Sequence, residues 1–149
     1  MEINIYKKAW DSLHEQNMSK KTTKKQIKKN LKIMEILTSL QLKHNVLIMS
    51  DEFSTAENII SDIAYISNAK FEIINTVDVE KLRISMSNNS IALINLNELN
   101  LRDCFSLLTE VEQEKTHPNF RIAFAHNGIG LAYYREIITG CVIHYSRKQ

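Results

Sequence analysis

The sequence predicts the α/β fold class, with a doubly wound parallel sheet of five strands behind an N-terminal helical extension. Beyond residue 45, short apolar runs of strand length alternate with helical patterns, as in sheets whose strands are joined by crossover helices. The apolar run 91–94 ends in Asn95 and suits a central strand that is buried on both faces. Residues 1–45 carry ten lysines against four acidic residues, whereas residues 46–149 carry nine basic and thirteen acidic side chains. We therefore divide the chain into a basic helical extension, 1–44, and an α/β domain, 45–149.

The composition is that of one globular domain. Of the 149 residues 44% are hydrophobic, and three Gly and one Pro argue against a low-complexity chain. No apolar run approaches the roughly 20 residues of a membrane span, and the first residues lack the apolar region of a signal peptide. Cys104 and Cys141 are far apart in sequence, which favours reduced thiols in the cytoplasm over a disulfide framework. No Cys or His spacing indicates a metal site, so we expect no metal. We also expect no cofactor and, because no apolar run is long enough, no membrane partner.

Two helices are predicted in the extension. Residues 4–16 form a short amphipathic helix anchored by Trp10, and residues 24–42 form a longer helix that Thr22 or Thr23 can cap. The apolar stripe of the longer helix includes Ile27, Leu31, Met34 and Leu37. Its five lysines are Lys24, Lys25, Lys28, Lys29 and Lys32. Three interpretations are open: a solvated face on a docked helix, a dimerisation helix, or a non-specific, salt-sensitive contact with nucleic acid.

In the α/β domain the predicted helices carry apolar residues at helical spacing. The first of them opens with a capping box of Ser54 and Glu57, Asn100 can cap the third, and Gly140 closes the last. The predicted strands are 46–49, 71–74, 91–96, 120–125 and 141–145, and the predicted helices are 54–67, 77–86, 101–115 and 130–138. Neither G-x-G-x-x-G nor G-x-x-x-x-G-K-[ST] occurs, so a dinucleotide or P-loop site lacks its phosphate cradle.

This domain resembles the receiver domain of bacterial two-component response regulators, which has the flavodoxin-like fold. The resemblance covers roughly residues 45–148 and rests on the order of elements and on four segments at strand ends. At these ends the family has, in chain order, an acidic pair often followed by Glu, the phosphoacceptor aspartate, a Ser or Thr, and an invariant lysine. This chain has Ser50, Asp51 and Glu52, then Asn95, then Ala125, then Arg147.

These departures argue against phosphoryl transfer and against an enzyme. The reaction needs a carboxylate nucleophile and Mg²⁺, a hard cation that carboxylates hold. Asn95 is an uncharged, poor nucleophile, and Ala125 has no hydroxyl to bind a phosphoryl group. We expect Asn95 to hydrogen-bond Asp51, Arg147 or the loop that follows it. A pocket that binds another anion through Arg147 is the alternative.

The resemblance also implies a helix that this sequence lacks. A receiver domain normally ends in a fifth helix, which shares one sheet face with the first, whereas this sequence ends at Gln149. An uncovered sheet face would be a large apolar patch. We therefore expect helix 24–42 to take the place of the last helix beside helix 54–67, in its own chain or in a partner.

Degenerate receivers of this kind resemble the N-terminal domains of some LuxR-type transcription regulators, including regulators that bind cyclic di-GMP. The nucleotide motif of those proteins is Trp, an apolar residue, Thr or Ser, then Arg, and the segment His144-Tyr145-Ser146-Arg147 matches it in part. The helix-turn-helix of such regulators is missing here. The chain is therefore expected to be a free-standing or truncated member.

The predicted function is that of a non-catalytic, receiver-like regulator that acts in signalling or transcription through protein contacts, with a homodimer as the expected state. Its predicted interaction face comprises Tyr133, Tyr134, His144 and Tyr145. Two alternatives are open: a DNA-binding regulator that uses the lysine-rich helix, and a regulator that binds a cyclic dinucleotide.

Overall fold

A computed structural model describes residues 4–42, 44, 46–50, 52–74, 90–100, 102, 103, 106, 120–126 and 142–145. In chain order the elements are α1 (Ile5–Met18), α2 (Lys24–Gln41), β1 (Val46–Ser50), α3 (Phe53–Ser67), β2 (Lys70–Ile74), β3 (Ser90–Asn95), a 3₁₀ turn (Leu96–Glu98), β4 (Phe120–His126) and β5 (Val142–Tyr145). The predicted helices 77–86 and 130–138 lie outside the described residues, as does most of 101–115. Asn100 accepts a hydrogen bond from the backbone N–H of Asp103 at 2.8 Å, so the predicted cap of that third helix is confirmed.

The ends of the first three helices follow from short polar side chains. Asn4 caps α1 by accepting from the backbone N–H groups of Tyr6 and Lys7, each at 3.1 Å. Thr23 caps α2 by accepting from the N–H of Gln26 at 3.1 Å, which decides between the two predicted caps. Helix α3 ends at Asn68, which adopts the left-handed conformation (φ 56°) that Asn tolerates at a helix end.

The five strands are all parallel and form one sheet in the order β2-β3-β4-β1-β5. This order corrects the predicted flavodoxin-like topology, in which β1 would lie beside β3 in the order 2-1-3-4-5. Here β4 lies between β3 and β1. The alternation of strands and helices in the sequence predicts parallel pairing, but the same alternation fits several strand orders, and tertiary packing selects among them.

Helix α3 connects two strands that are not neighbours. It leaves β1, crosses one face of the sheet in contact with β1, β4 and β3, and leads to β2 at the far edge. The chain continues from β4 to β5, on the opposite side of β1. The topological switch point therefore lies between β1 and β4. In open α/β sheets, ligands bind outside the carboxyl ends of the strands at such a point.

Both faces of β1 and β3 are buried. Val46, Ile48, Ile91 and Leu93 share a core with the three helices, and each is 0% exposed. Leu47, Ala92 and Ile94, which alternate with these residues and belong to the other face of the sheet, are at most 1% exposed. Burial on both faces is the usual condition of a parallel sheet.

The helical hairpin of α1 and α2 belongs to the same core. Tyr6 and Ala9 of α1 and Ile36, Leu37 and Leu40 of α2 are buried in it beside Ile60 and Ile63 of α3. Helix α2 thus lies against β1 and α3, within its own chain, where the sequence led us to expect a covering helix. In the described part of the chain, no helix combines the length and the apolar character that crossing a membrane requires.

Candidate functional site

The carboxyl ends of β1 and β3 carry two polar residues of the predicted pocket. Ser50 ends β1 and Asn95 ends β3, but β4 separates the two strands. Two strand spacings amount to about 10 Å. The register places Ala125 of β4 beside Asn95 on one side and beside Ile48 on the other. The sheet therefore brings Asn95 and Ala125 together and keeps Ser50 apart from both.

The Ser50 hydroxyl is engaged in the turn between β1 and α3. It donates to the carbonyl oxygen of Glu52 at 2.6 Å and accepts from the N–H of Glu52 at 3.1 Å. Ser50 itself is buried at 8% exposure. This two-way bond fixes the short connection and uses both hydrogen-bonding roles of the hydroxyl.

Helix α3 begins immediately after this turn, at Phe53, with Glu52 at the N-cap position and no side-chain cap bond. The predicted capping box is therefore wrong: Ser54 lies inside the first turn, and its side chain is exposed. A hydroxyl inside the helix cannot reach the N–H groups that a cap satisfies. The backbone of Glu52 instead turns into the helix because Ser50 holds it.

Asn95 is also used locally. Its Oδ1 accepts from the N–H of Asn97 at 3.1 Å and so begins the 3₁₀ turn 96–98. The prediction that Asn95 bonds the loop after it is confirmed. Asn favours such turns because its side chain mimics a backbone carbonyl.

The strand order brings together residues at the switch point that the sequence did not place side by side. The register places His126 of β4 and His144 of β5 on either side of Met49, at one level across three neighbouring strands. Tyr145 lies beside Ser50 one residue further along. A histidine at the end of a predicted strand was the available signal, but its neighbours follow only from the strand order.

Several predicted site residues have no described position. Asp51, Ser146 and Arg147 lie outside the described residues, as do Tyr133 and Tyr134. The anion pocket through Arg147, the cyclic-dinucleotide motif and the tyrosine part of the interaction face therefore remain predictions. Among the residues that the structure describes, no three His, Cys, Asp or Glu side chains come together as metal ligands do.

The predicted lysine face exists as a solvent-facing surface of α2. Lys24, Lys25, Lys28 and Lys29 are exposed, and Lys32 is half-buried. At 100° per residue these five positions fall within an arc of about 140°. Leu31, which the sequence placed in the apolar stripe, is 54% exposed, whereas Met34 and Leu37 are buried. Helix α2 is thus docked on its own chain with most of its lysines toward solvent, and the contact with nucleic acid stays a prediction.

The lysine face continues into the turn before α2. Lys20 and Lys21 are exposed there, and the sequence interpretation did not include them because they precede the helix. The turn folds back because the Thr22 hydroxyl donates to the carbonyl oxygen of Gln16 at 2.6 Å. We call the seven residues Lys20, Lys21, Lys24, Lys25, Lys28, Lys29 and Lys32 the lysine tip.

Comparison with known proteins gives no family for this chain. No family model and no curated protein sequence matches it. Among solved structures, the chain is similar to the RuvB Holliday junction branch migration motor of Thermotoga maritima, with 14% sequence identity and a TM-score of 0.49. The similarity covers 83% of this chain and 45% of that one, so this chain spans less than half the length of the motor protein.

Proposed function

We propose that the chain is a non-catalytic regulatory protein that acts in signalling or transcription by binding other macromolecules. The observation that carries this proposal is the local hydrogen bonding of the polar side chains at the carboxyl ends of β1 and β3. The Ser50 hydroxyl bonds both backbone groups of Glu52, and the Asn95 amide oxygen bonds the N–H of Asn97. A hydroxyl or amide oxygen that is hydrogen-bonded within its own turn is not available to polarise or attack a substrate.

The start of α3 supports the same conclusion for phosphate chemistry. A helix N-terminus after a strand binds phosphate when glycines let the backbone approach the anion. The sequence has no glycine before Gly128, and the connection after β1 carries Asp51 and Glu52. Two carboxylates next to the helix N-terminus would repel a phosphate instead of attracting one.

The proposed partner is a protein, with a second copy of the chain as the first candidate. Large apolar side chains are exposed at the end of α3 and on β2: Tyr65 is 87% exposed, Ile66 40% and Ile73 42%. An exposed aromatic side chain is a common anchor in protein interfaces. A cytoplasmic location belongs to the proposal, because the two cysteines suit a reducing compartment.

The first experiment tests the non-catalytic part. The purified protein is mixed with Mg²⁺ and ATP, GTP or acetyl phosphate, and its melting temperature and intact mass are recorded. We expect neither value to change. A nucleotide at about 100 times its Kd would add about 2.7 kcal/mol to the free energy of unfolding, so specific binding would be visible. A reproducible rise in melting temperature, or the mass of an added phosphoryl group, would overturn the proposal.

The second experiment tests self-association by light scattering. We expect a dimer that persists at high salt, because apolar contacts are not screened by ions. Tyr65→Ser should shift it toward the monomer, whereas the control Met18→Ser, at a residue that is 74% exposed at the end of α1, should not. A native protein that stays monomeric at all concentrations would remove the homodimer from the proposal.

A further inference from the structure

The lysine tip concentrates positive charge at one end of the helical hairpin. Its seven lysines lie within residues 20–32, and the sequence has no acidic residue between Glu15 and Glu35. The remainder of the chain is different, since residues 46–149 carry more acidic than basic side chains. The positive charge is therefore local, and no acidic residue offsets it within residues 20–32.

The tip extends beyond the part of the hairpin that is docked on the body. In the second half of α2, the arc of the helix that carries lysines in the first half holds Glu35, which is exposed, and then Ile36 and Ser39, which are buried at 0% and 7% exposure. In the first half the same arc is exposed from Lys24 to Lys29. The body thus covers part of this arc in the second half of α2, and Lys24, Lys25, Lys28 and Lys29 are exposed in the first half.

A buried polar cluster fixes the direction of this surface. Asn30 is 1% exposed, accepts from Gln26 at 2.8 Å, and donates to Gln16 at 2.9 Å and to Asn17 at 2.8 Å. These bonds set the register of α2 against α1 and so hold the lysine arc away from α1. A buried amide that sets the register of packed helices is a well-attested device.

We propose that the lysine tip binds the phosphate backbone of double-stranded nucleic acid without sequence preference. Lys24, Lys28 and Lys32 are one turn apart and extend over about 12 Å along the helix, a length that faces several phosphates of a duplex. The tip contains no Arg, and a surface of lysines alone supplies point charges for phosphates but no bidentate readout of bases.

The packing of α2 favours nucleic acid over a membrane surface. An interfacial helix binds lipid through an exposed apolar face opposite its basic face. In α2 the side opposite the lysines lies against α1, where Asn30, Ile33 and Met34 are buried. No such apolar face is available to enter a bilayer.

The test is the salt dependence of binding to a fluorescein-labelled DNA duplex of about 20 base pairs, which is about two helical turns. If five lysines contact phosphates, the logarithm of the association constant should fall against the logarithm of salt with a slope of about −4.5. Between about 50 and 200 mM salt the affinity should then fall roughly 500-fold. A second duplex of unrelated sequence should bind equally.

A pair of charge-matched variants identifies the surface. Lys24→Gln with Lys28→Gln should make the slope shallower by about 1.8, because two phosphate contacts are lost. The control, Lys8→Gln with Lys70→Gln, removes the same charge from exposed positions outside the tip and should leave the slope unchanged. Gln keeps helix propensity close to that of Lys, and unchanged melting temperatures would confirm that both variants fold.

Four outcomes would overturn the proposal. The first is that the native protein does not bind the duplex at about 50 mM salt, and the second is that both variant pairs make the salt slope shallower by the same amount. The third is that polyglutamate displaces the labelled duplex as well as unlabelled duplex does at equal charge. The fourth is that the protein binds phosphatidylserine vesicles but not the duplex. None of them depends on self-association through Tyr65, so failure here and failure of the dimer experiment are distinguishable.

Discussion

Asn95 and Ser50 each have a local structural role at the end of a strand. Each side chain satisfies backbone groups of the turn that follows it, at distances between 2.6 and 3.1 Å. A buried or half-buried backbone N–H without a partner costs free energy, and a short polar side chain removes that cost. The residue types therefore follow from the local backbone, and no ligand is needed to explain them.

This local role leads to a prediction about restored carboxylates. The double variant Ser50→Asp and Asn95→Asp supplies the acids that a receiver has at these places, yet we expect no phosphorylation by acetyl phosphate with Mg²⁺. The strand β4 keeps the two positions about 10 Å apart, too far for one Mg²⁺ to be held by both. Mass spectrometry measures the result. A Mg²⁺-dependent phosphoryl adduct at position 95 of this variant would contradict the separation of the two positions by β4.

Asn30 gives a second prediction at the residue scale. Asn30→Ala removes three hydrogen bonds at a buried position and should lower the free energy of unfolding by about 1–3 kcal/mol. Chemical denaturation measures the loss. The matched control is Asn58→Ala, on the exposed side of α3, which should be neutral or slightly stabilising because Ala is the better helix former. Equal effects of the two changes would show that the cluster does not hold the hairpin.

At the scale of elements, the predicted N-caps of α2 and α3 have opposite outcomes. Thr23→Ala should lower the free energy of unfolding by about 1 kcal/mol, because the hydroxyl accepts from the N–H of Gln26. Ser54→Ala should change it by less than about 0.5 kcal/mol, since Ser54 is exposed inside the first turn of α3. Urea denaturation of both variants decides the matter. A loss at Ser54 as large as at Thr23 would restore the capping box.

The same pair shows what local sequence can predict. Periodicity gave α2 and β3 to within one or two residues, because the spacing of apolar residues reflects which side is buried. The pattern places the start of α3 at residue 54, one residue late, because Ser50, three positions before Phe53, controls the turn. A motif of four residues cannot reveal a backbone bond made from the preceding strand.

At the scale of the whole molecule, the strand order is the feature that the sequence did not provide. Every doubly wound sheet alternates strands and helices, so the pattern predicts parallel strands and a buried β3 but leaves their neighbours open. The neighbour of β1 is chosen by how α3 crosses the sheet to reach β2. The lysine face, in contrast, was predictable, because a charged arc on one helix depends only on helical spacing.

The core that joins the hairpin to the sheet predicts a single cooperative unfolding unit. Leu37 is 0% exposed within the core shared by α2, α3 and the sheet, so Leu37→Ala should lower the free energy of unfolding by about 2–5 kcal/mol. The control is Leu31→Ala on the same helix, where the side chain is 54% exposed and the loss should stay below about 1 kcal/mol.

Two probes test whether the loss is global. Trp10 in α1 is the one tryptophan of the chain, so its fluorescence reports on the hairpin, whereas far-ultraviolet circular dichroism reports on all helices and strands. In native protein and in Leu37→Ala the two urea transitions should coincide, because the hairpin and the sheet bury the same side chains. If the hairpin were only an appendage, the fluorescence transition of Leu37→Ala would move alone, and the remaining ellipticity would be lost at the native midpoint.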